Sequence, residues 1–262
     1  MRTETQELFQ LTTGLMAGRV ALVTGASRGI GAATARLLAK HGASVAVNYM
    51  NSEAAAAQVV SEIEAEGGRA VAVRADVRDA EQVNAMVERI HKELGPIDTL
   101  VINANMQFST ACFSEHRWED FERKLLGEMG GAFFTVKAVL PEMMKRRRGS
   151  IVAISSGLSR HPGQGFVAHT TAKSALDGLM KSLALELGPH GIRVNVVAPG
   201  LTLTDATAGI PEQAKEAAGR ALPLRRNGLP EDIAGAVLAV ASDLSGYVTG
   251  AYIPVSGGGL ML

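Results

Sequence analysis

Short runs of β-branched and small apolar residues alternate along this chain with longer stretches whose apolar positions recur every three or four residues. The short runs are Val20–Val23, Ser44–Asn48, Ala70–Arg74, Thr99–Ile102, Ile151–Ile154, Arg193–Val197 and Ala251–Val255. They are apolar on both faces, as strands buried in a parallel sheet are. Between them the helical period predicts Ile30–Lys40, Ser52–Glu66, Ala80–Glu93, Trp118–Lys145, Ala172–Leu187 and Pro230–Ala241. Strand and helix alternating in this way imply an α/β fold, a doubly wound parallel sheet with helices on both faces. The pattern predicts one domain over 15–262, preceded by an N-terminal arm over 1–14. The stretch 200–229 shows no clear element, which predicts a substrate lid or binding loop.

Composition narrows the function classes. The chain has 262 residues, with 26 Lys and Arg against 26 Asp and Glu. A zero formal charge argues against a nucleic-acid binder held by a bulk positive field. No apolar run reaches the roughly 18 residues needed to span a bilayer. Met1–Thr13 carries Glu4 and Glu7 and lacks the apolar core of a signal peptide, so the expectation is a cytoplasmic protein without a membrane partner. The single Cys112 permits no internal disulfide and no cysteine metal cluster. His161 and His169 fit no ordinary ligand spacing, so no metal site is expected.

The first strand runs into Thr24-Gly25-Ala26-Ser27-Arg28-Gly29-Ile30-Gly31, which opens the first helix. Glycines between a strand and a helix allow a tight turn and close backbone approach to a pyrophosphate. That context predicts a Rossmann-like dinucleotide site. A carboxylate ending the second strand would bind the ribose of NAD, but Asn48 and Tyr49 stand there instead. Arg28 can face a 2′-phosphate, with Asn48 and Ser52 adding neutral contacts, so the predicted cofactor is NADPH (NADP). Asp76 and Val77 close the third strand near the adenine, and Asn103-Ala104-Asn105 end the fourth. These segments should border one crevice.

Taken together, Thr24–Gly31, Asp76-Val77, Ile151–Ser156, Arg193–Gly200, Thr204-Asp205 and Pro230–Ile233 resemble the short-chain dehydrogenase/reductase family. The texture is nearest to the β-ketoacyl-carrier-protein reductases and polyketide ketoreductases, and it covers about Leu15 to Leu262. The resemblance implies that Pro199, Gly200, Thr202 and Thr204 contact the nicotinamide side of the cofactor. It also implies a catalytic Asn, Ser, Tyr and Lys. Ser156 and Lys173 fit two of these. The Tyr position holds His169, and the Asn position falls on Glu128. The glycine that usually closes the motif after the fourth strand is Asn105.

In such enzymes the hydroxyls hold a carbonyl, the nicotinamide delivers hydride and the Tyr supplies the proton. His169 and Lys173 are four residues apart and share a helical face. Lys173 should depress the imidazole pKa, while Glu128, if it reaches the cleft, should raise it and restore an acid. Two readings of His169 stand side by side: an acid in place of the phenol, and a decayed position filled by a polar residue. Glu128 is read either as its partner or as a solvated or interface carboxylate.

The predicted function is therefore an NADPH-dependent oxidoreductase acting on a carbonyl substrate such as a polyketide intermediate or quinone. One alternative is a catalytically impaired subunit partnering an active homologue. Another is a non-redox dehydratase or cyclase. The run Lys145–Arg148, with Arg147 at the family's docking position, suggests a substrate carried on an acyl carrier protein; its bland reading is a basic helix end favoured by the macrodipole. The resemblance also implies a homo-tetramer or dimer, or a hetero-oligomer with a homologue.

Overall fold

The computed structural model of the chain describes residues 14–261. Most of the expected arm over 1–14, and Leu262, lie outside them. Seven parallel strands form one sheet: β1 (Val20–Val23), β2 (Ser44–Tyr49), β3 (Arg69–Arg74), β4 (Thr99–Ile102), β5 (Gly149–Ile154), β6 (Ile192–Pro199) and β7 (Tyr252–Val255). Their spatial order is β3-β2-β1-β4-β5-β6-β7. The chain winds outward from β1 to β3, returns to β4, and winds out the other way to β7. A topological switch point therefore lies between β1 and β4, where the loops leaving two neighbouring strands diverge and open a crevice.

Seven α-helices cover the sheet: α1 (Gly29–Lys40), α2 (Glu53–Ala65), α3 (Ala80–Glu93), α4 (Trp118–Arg146), α5 (Val167–Leu187), α6 (Glu212–Ala221) and α7 (Pro230–Ala241). Leu22, Leu100 and Ile151 point to one face, where Met86, Ile90, Val139, Leu176 and Met180 of α3, α4 and α5 pack. Val23, Val101 and Val152 point to the other, against Leu38, Val59, Ile63, Ile233 and Val237 of α1, α2 and α7. The period-two alternation of the strands thus feeds two cores, as a doubly wound sheet requires.

Two expectations need correction. The segment 200–229 is not free of structure: a 3-10 turn at Asp205–Thr207 and α6 lie within it. Helix α6 is polar and buries only Gly219, so it offered no apolar stripe to read. The second correction is the start of α5, five residues before the expected Ala172. Phe166 precedes it with no side-chain cap, and His169-Thr170-Thr171 carry no helical signal of their own. Consequently His169 lies inside α5, one turn before Lys173.

Helix α4 stays continuous for 29 residues despite Gly127, Gly130 and Gly131. Two of these glycines serve close packing. A Cβ on Gly127 would lie 2.9 Å from Met106 Cγ, and one on Gly131 would lie 3.0 Å from Val77 Cγ2. The small residues let α4 lie low over the ends of β3 and β4, which brings residues 124–128 to the crevice.

Candidate active site

The crevice is built first by its backbone. Gly25 and Gly29 have φ of +60° and +55°, a region that side chains disfavour. A Cβ on Gly25 would come within 2.8 Å of Ala104 Cα, across the switch point. A Cβ on Gly31 would lie 2.5 Å from Asn103 Nδ2 and 2.6 Å from the Gly25 carbonyl oxygen. The glycine turn is therefore pressed onto the end of β4. Asn103 secures it, its Nδ2 donating to the carbonyl oxygens of Thr24 at 2.8 Å and Gly25 at 3.0 Å. Thr24 Oγ1 accepts from the backbone N–H groups of Asn103 and Ala104. Ser27, Arg28 and Ile30 lie on the outer part of the turn. Thr204, after β6, reaches over it, its Cγ2 lying 3.5 Å from where a Cβ on Gly29 would stand.

The start of α1 bears no side-chain cap and no acidic residue in its first turn. Its N–H groups and the positive end of its dipole thus face the crevice, a setting that fits a pyrophosphate. At the rim, Arg28 Nη2 donates to Ser52 Oγ at 3.0 Å, so the guanidinium is already turned toward the end of β2. Asn48 departs from the expectation. It is buried; its Oδ1 accepts from the Gly25 N–H at 3.1 Å, and its Nδ2 donates to the carbonyl oxygens of Ala75 at 3.1 Å and Val73 at 3.3 Å. It braces the turn against β3 and leaves nothing for a phosphate. Asp76 is held by Arg78, whose guanidinium and N–H both donate to it and keep the carboxyl below its ordinary pKa. Thr202 is also committed, its hydroxyl donating to the Gly200 carbonyl at 3.2 Å.

Beneath the crevice, α4 and α5 meet in a chain of ions. Glu128 is buried, which corrects the solvated-carboxylate reading. One oxygen accepts from Lys173 Nζ at 2.5 Å; the other accepts from Lys124 Nζ at 2.6 Å and from the Met106 N–H at 3.4 Å. Burial alone would raise the carboxyl pKa, but the two ammonium groups overcome it and hold the group ionised. Lys173 also donates to the Ile154 carbonyl oxygen at 2.8 Å, which leaves one of its three N–H bonds unassigned.

His169 stands beside this triad without a hydrogen bond to it. Its ring stacks on Phe108 at 4.5 Å between centroids, and Nδ1 is buried without a partner. Burial, then Lys173 and Lys124, push its pKa down to about 3 against the opposing pull of Glu128. The expected His–Glu acid pair is thus absent. Glu128 is consumed by the lysines, and an imidazolium would leave a second N–H unsolvated at Nδ1.

Ser156 follows β5. Its Oγ accepts from the Leu158 N–H at 3.2 Å, and its carbonyl oxygen accepts from Tyr252 Oη at 3.0 Å. Ser159 donates to Asp177 at 2.7 Å, one turn after Lys173 on α5.

A family model described as enoyl-(acyl carrier protein) reductase matches residues 25–259. The chain belongs to the short-chain dehydrogenase/reductase family. It is 40% identical over 247 residues to an L-rhamnose 1-dehydrogenase (NAD(P)(+)) of Sphingomonas sp. strain SKA58, covering 93% of this chain and 97% of that one. It is also 40% identical over 240 residues to the 3-oxoacyl-[acyl-carrier-protein] reductase FabG of Staphylococcus aureus, covering 91% and 96%. A dehydrogenase/reductase from Sinorhizobium meliloti 1021 has the same fold, with a TM-score of 0.87, 38% identity and coverage of 97% and 98%.

As a short-chain dehydrogenase/reductase, the chain belongs to a family of oxidoreductases that use a nicotinamide dinucleotide. Among the described residues no cluster of His, Cys, Asp and Glu could hold a metal, and no helix is long and apolar enough to cross a membrane. The basic run at the C-terminal end of α4 lies at the opposite end of the sheet from the crevice. Arg146 pairs with buried Asp98 at 3.0 Å, and Arg147 donates to the Pro189 carbonyl at 2.6 Å, so much of this charge is spent within the protomer.

Sequence reading missed Lys124, Phe108, Ser159, Asp177 and Tyr252. Two of them left a signal, since Lys124 precedes Glu128 by four residues and Asp177 follows Lys173 by four, the spacing of neighbours on a helix face.

Proposed function

We propose that this short-chain dehydrogenase/reductase is an NADPH-dependent ketoreductase for carbonyl compounds that are polarised within themselves, such as quinones and polyketide-type dicarbonyls. The observation that carries the reading is a braced glycine cradle standing over a retained Lys173, with a neutral His169 where the family places its acid. Bound there, the cofactor supplies a hydride. Gly25, Ser27, Gly29, Ile30 and Gly31 would hold its pyrophosphate, Arg28 and Ser52 its 2′-phosphate, and Asp76 and Val77 its adenine. Asn103, Ala104, Pro199, Gly200, Thr204 and the remaining N–H of Lys173 would line the nicotinamide half.

Ser156 offers a hydroxyl and His169 a single N–H to a carbonyl oxygen. Neither supplies a ready proton at neutral pH, since the imidazole stays neutral well below it. A quinone, whose reduction leaves a weakly basic phenolate, needs only hydrogen-bond donors and a nearby ammonium, whereas a dicarbonyl leaves an alkoxide that takes its proton from water. The 3-oxoacyl-[acyl-carrier-protein] reductase relative supports a β-dicarbonyl, carrier-bound or free. The dehydrogenase that takes either nicotinamide leaves the cofactor choice to Arg28. Exposed Leu126 and Phe133 on α4 and Leu185 on α5 support assembly through these helices, as a homo-oligomer or with a homologue.

Titration of NADPH against the protein, read by nicotinamide fluorescence, tests the cradle, and absorbance loss with quinones, diketones and simple ketones tests the chemistry. His169→Phe should lower kcat toward a quinone by about 10²-fold, the effect of losing one donor to a developing oxyanion. His169→Tyr should extend turnover to simple ketones. A Phe variant as active as the wild type would remove His169 from the mechanism. Binding without turnover of any carbonyl would leave the impaired-subunit reading. Arg28→Ala should weaken NADPH by about tenfold or more, the size of a charge-assisted hydrogen bond, and leave NADH nearly unchanged. Equal weakening of both would take the 2′-phosphate away from Arg28.

A further inference from the structure

Lys124 is fully buried, and its ammonium group is saturated. Its three N–H bonds go to Asn105 Oδ1 at 2.7 Å, the Met106 carbonyl oxygen at 3.0 Å and Glu128 Oε2 at 2.6 Å. It therefore touches no substrate. It does touch groups that surround His169. Asn105 and Met106 lie in the loop after β4, and two residues on comes Phe108. The Phe108 ring meets both groups, with Lys124 Nζ 5.2 Å from its centroid and His169 stacked 4.5 Å from it.

A buried ammonium with no reactive surface needs a reason, because taking such a charge out of water is costly. Charge counting gives one. With only Lys173 and Glu128, the floor of the cleft would be a neutral pair. Glu128 is instead divided between two cations, one oxygen to each. The triad keeps one unbalanced positive charge, and Lys173, bonded to one carboxylate oxygen only, retains an N–H for the cleft.

We propose that Lys124 is a positioning residue of the reductive centre: it shares Glu128 with Lys173, so that the cleft keeps a net positive charge, and it clamps the loop that presses Phe108 onto His169. The inference rests on the reductase reading only in naming the cleft as the place of reaction. Charged groups face His169 from two helices, Lys173 on its own α5 and Lys124 and Glu128 on α4. The positive charge takes over part of the work of a proton donor, stabilising an oxyanion through space. Lys124 and Glu128 form one unit, in which each needs the other.

The test uses the full chain and three variants: Lys124→Met, Lys124→Gln and Lys124→Met/Glu128→Gln. The first readout is the titration of His169 by nitrogen NMR, assigned by its loss in His169→Phe, and it needs no turnover. Removing the Lys124 cation leaves Glu128 to Lys173 alone and should raise the imidazole pKa by about one unit or more. The double variant removes both charges, keeps the Lys173 cation, and should return the titration toward the wild-type position. The second readout is kinetic. Lys124→Met should lower kcat for a quinone about tenfold with NADPH affinity changed less than about threefold, and the double variant should recover much of that loss.

A purely structural Lys124 predicts the reverse, with the double variant no better than the single one and His169 unmoved; that result overturns the proposal. If Lys124→Met does not fold, Lys124→Gln, whose amide can still donate to the loop, removes the charge alone and must give the same shift. If the wild type binds NADPH and turns over nothing, the reductase reading falls, while the His169 titration still decides the role of Lys124.

Discussion

Glu128→Leu is expected to destabilise the chain by about 3–5 kcal/mol, the usual cost of stripping the partner from a buried charge. Here two ammonium groups lose it together. Each keeps a carbonyl oxygen or amide acceptor, so the proteins should still fold, with a lower urea midpoint. The loss should also depend on pH. Burial already pulls Lys124 down to about 8, against the favourable charge of Glu128. Without Glu128, Lys124 falls further below its unfolded value. The unfolded state then binds more protons than the native state as pH rises through that window, and stability must rise with pH. Urea melts of wild type and variant from neutral to alkaline pH should therefore converge. A gap that stays constant or widens would mean that the ammonium groups are not buried as a shared pair.

Gly31→Val should abolish nucleotide binding. The added Cβ would meet the Gly25 carbonyl oxygen of the turn at 2.6 Å and, at 2.5 Å, Nδ2 of Asn103, the side chain that ties the turn to β4. The carbonyl is backbone and cannot swing aside, and moving the Asn103 amide breaks its hydrogen bonds to Thr24 and Gly25, so the turn has to open. Its N–H groups would leave the arrangement that suits a pyrophosphate, and affinity for NADPH should fall by about 10²-fold or more, since two charge-assisted hydrogen bonds are at stake. Fluorescence titration measures it, and a thermal melt shows whether the fold survives. Retained affinity in a folded variant would place the nucleotide elsewhere.

The strands and most helices could be read from the sequence because a buried parallel sheet leaves runs apolar on both faces, and the strand boundaries moved little. The glycine turn was legible for a similar reason: its residues act through backbone geometry, which sequence states directly. Asn48 was not. Its position at the end of β2 was correct, but whether an amide faces a ligand or braces the loop behind it depends on which backbone groups are left unpaired nearby. Sequence does not record that. The same limit applied to Glu128, read either as a partner of His169 or as a solvated or interface carboxylate, when its partners are Lys124 and Lys173. The choice between His169 and Lys124 depended on which side of α4 the carboxylate faced, and on a lysine whose spacing from Glu128 looked like an ordinary surface pair. Phe108 was out of reach, because only the packing of the β4–α4 loop brings it onto His169.

The hydrogen bond from Tyr252 to the carbonyl of Ser156 spans 96 residues, and Tyr252 lies on β7, the last strand of the sheet. A chain emerging from the ribosome can fold its nucleotide half early, since those strands come first and pair among themselves. The serine turn has to wait for β7 to dock before its carbonyl is pinned. A nascent protein should thus acquire its dinucleotide cradle well before it can orient a substrate, so that cofactor capture precedes catalytic competence during synthesis.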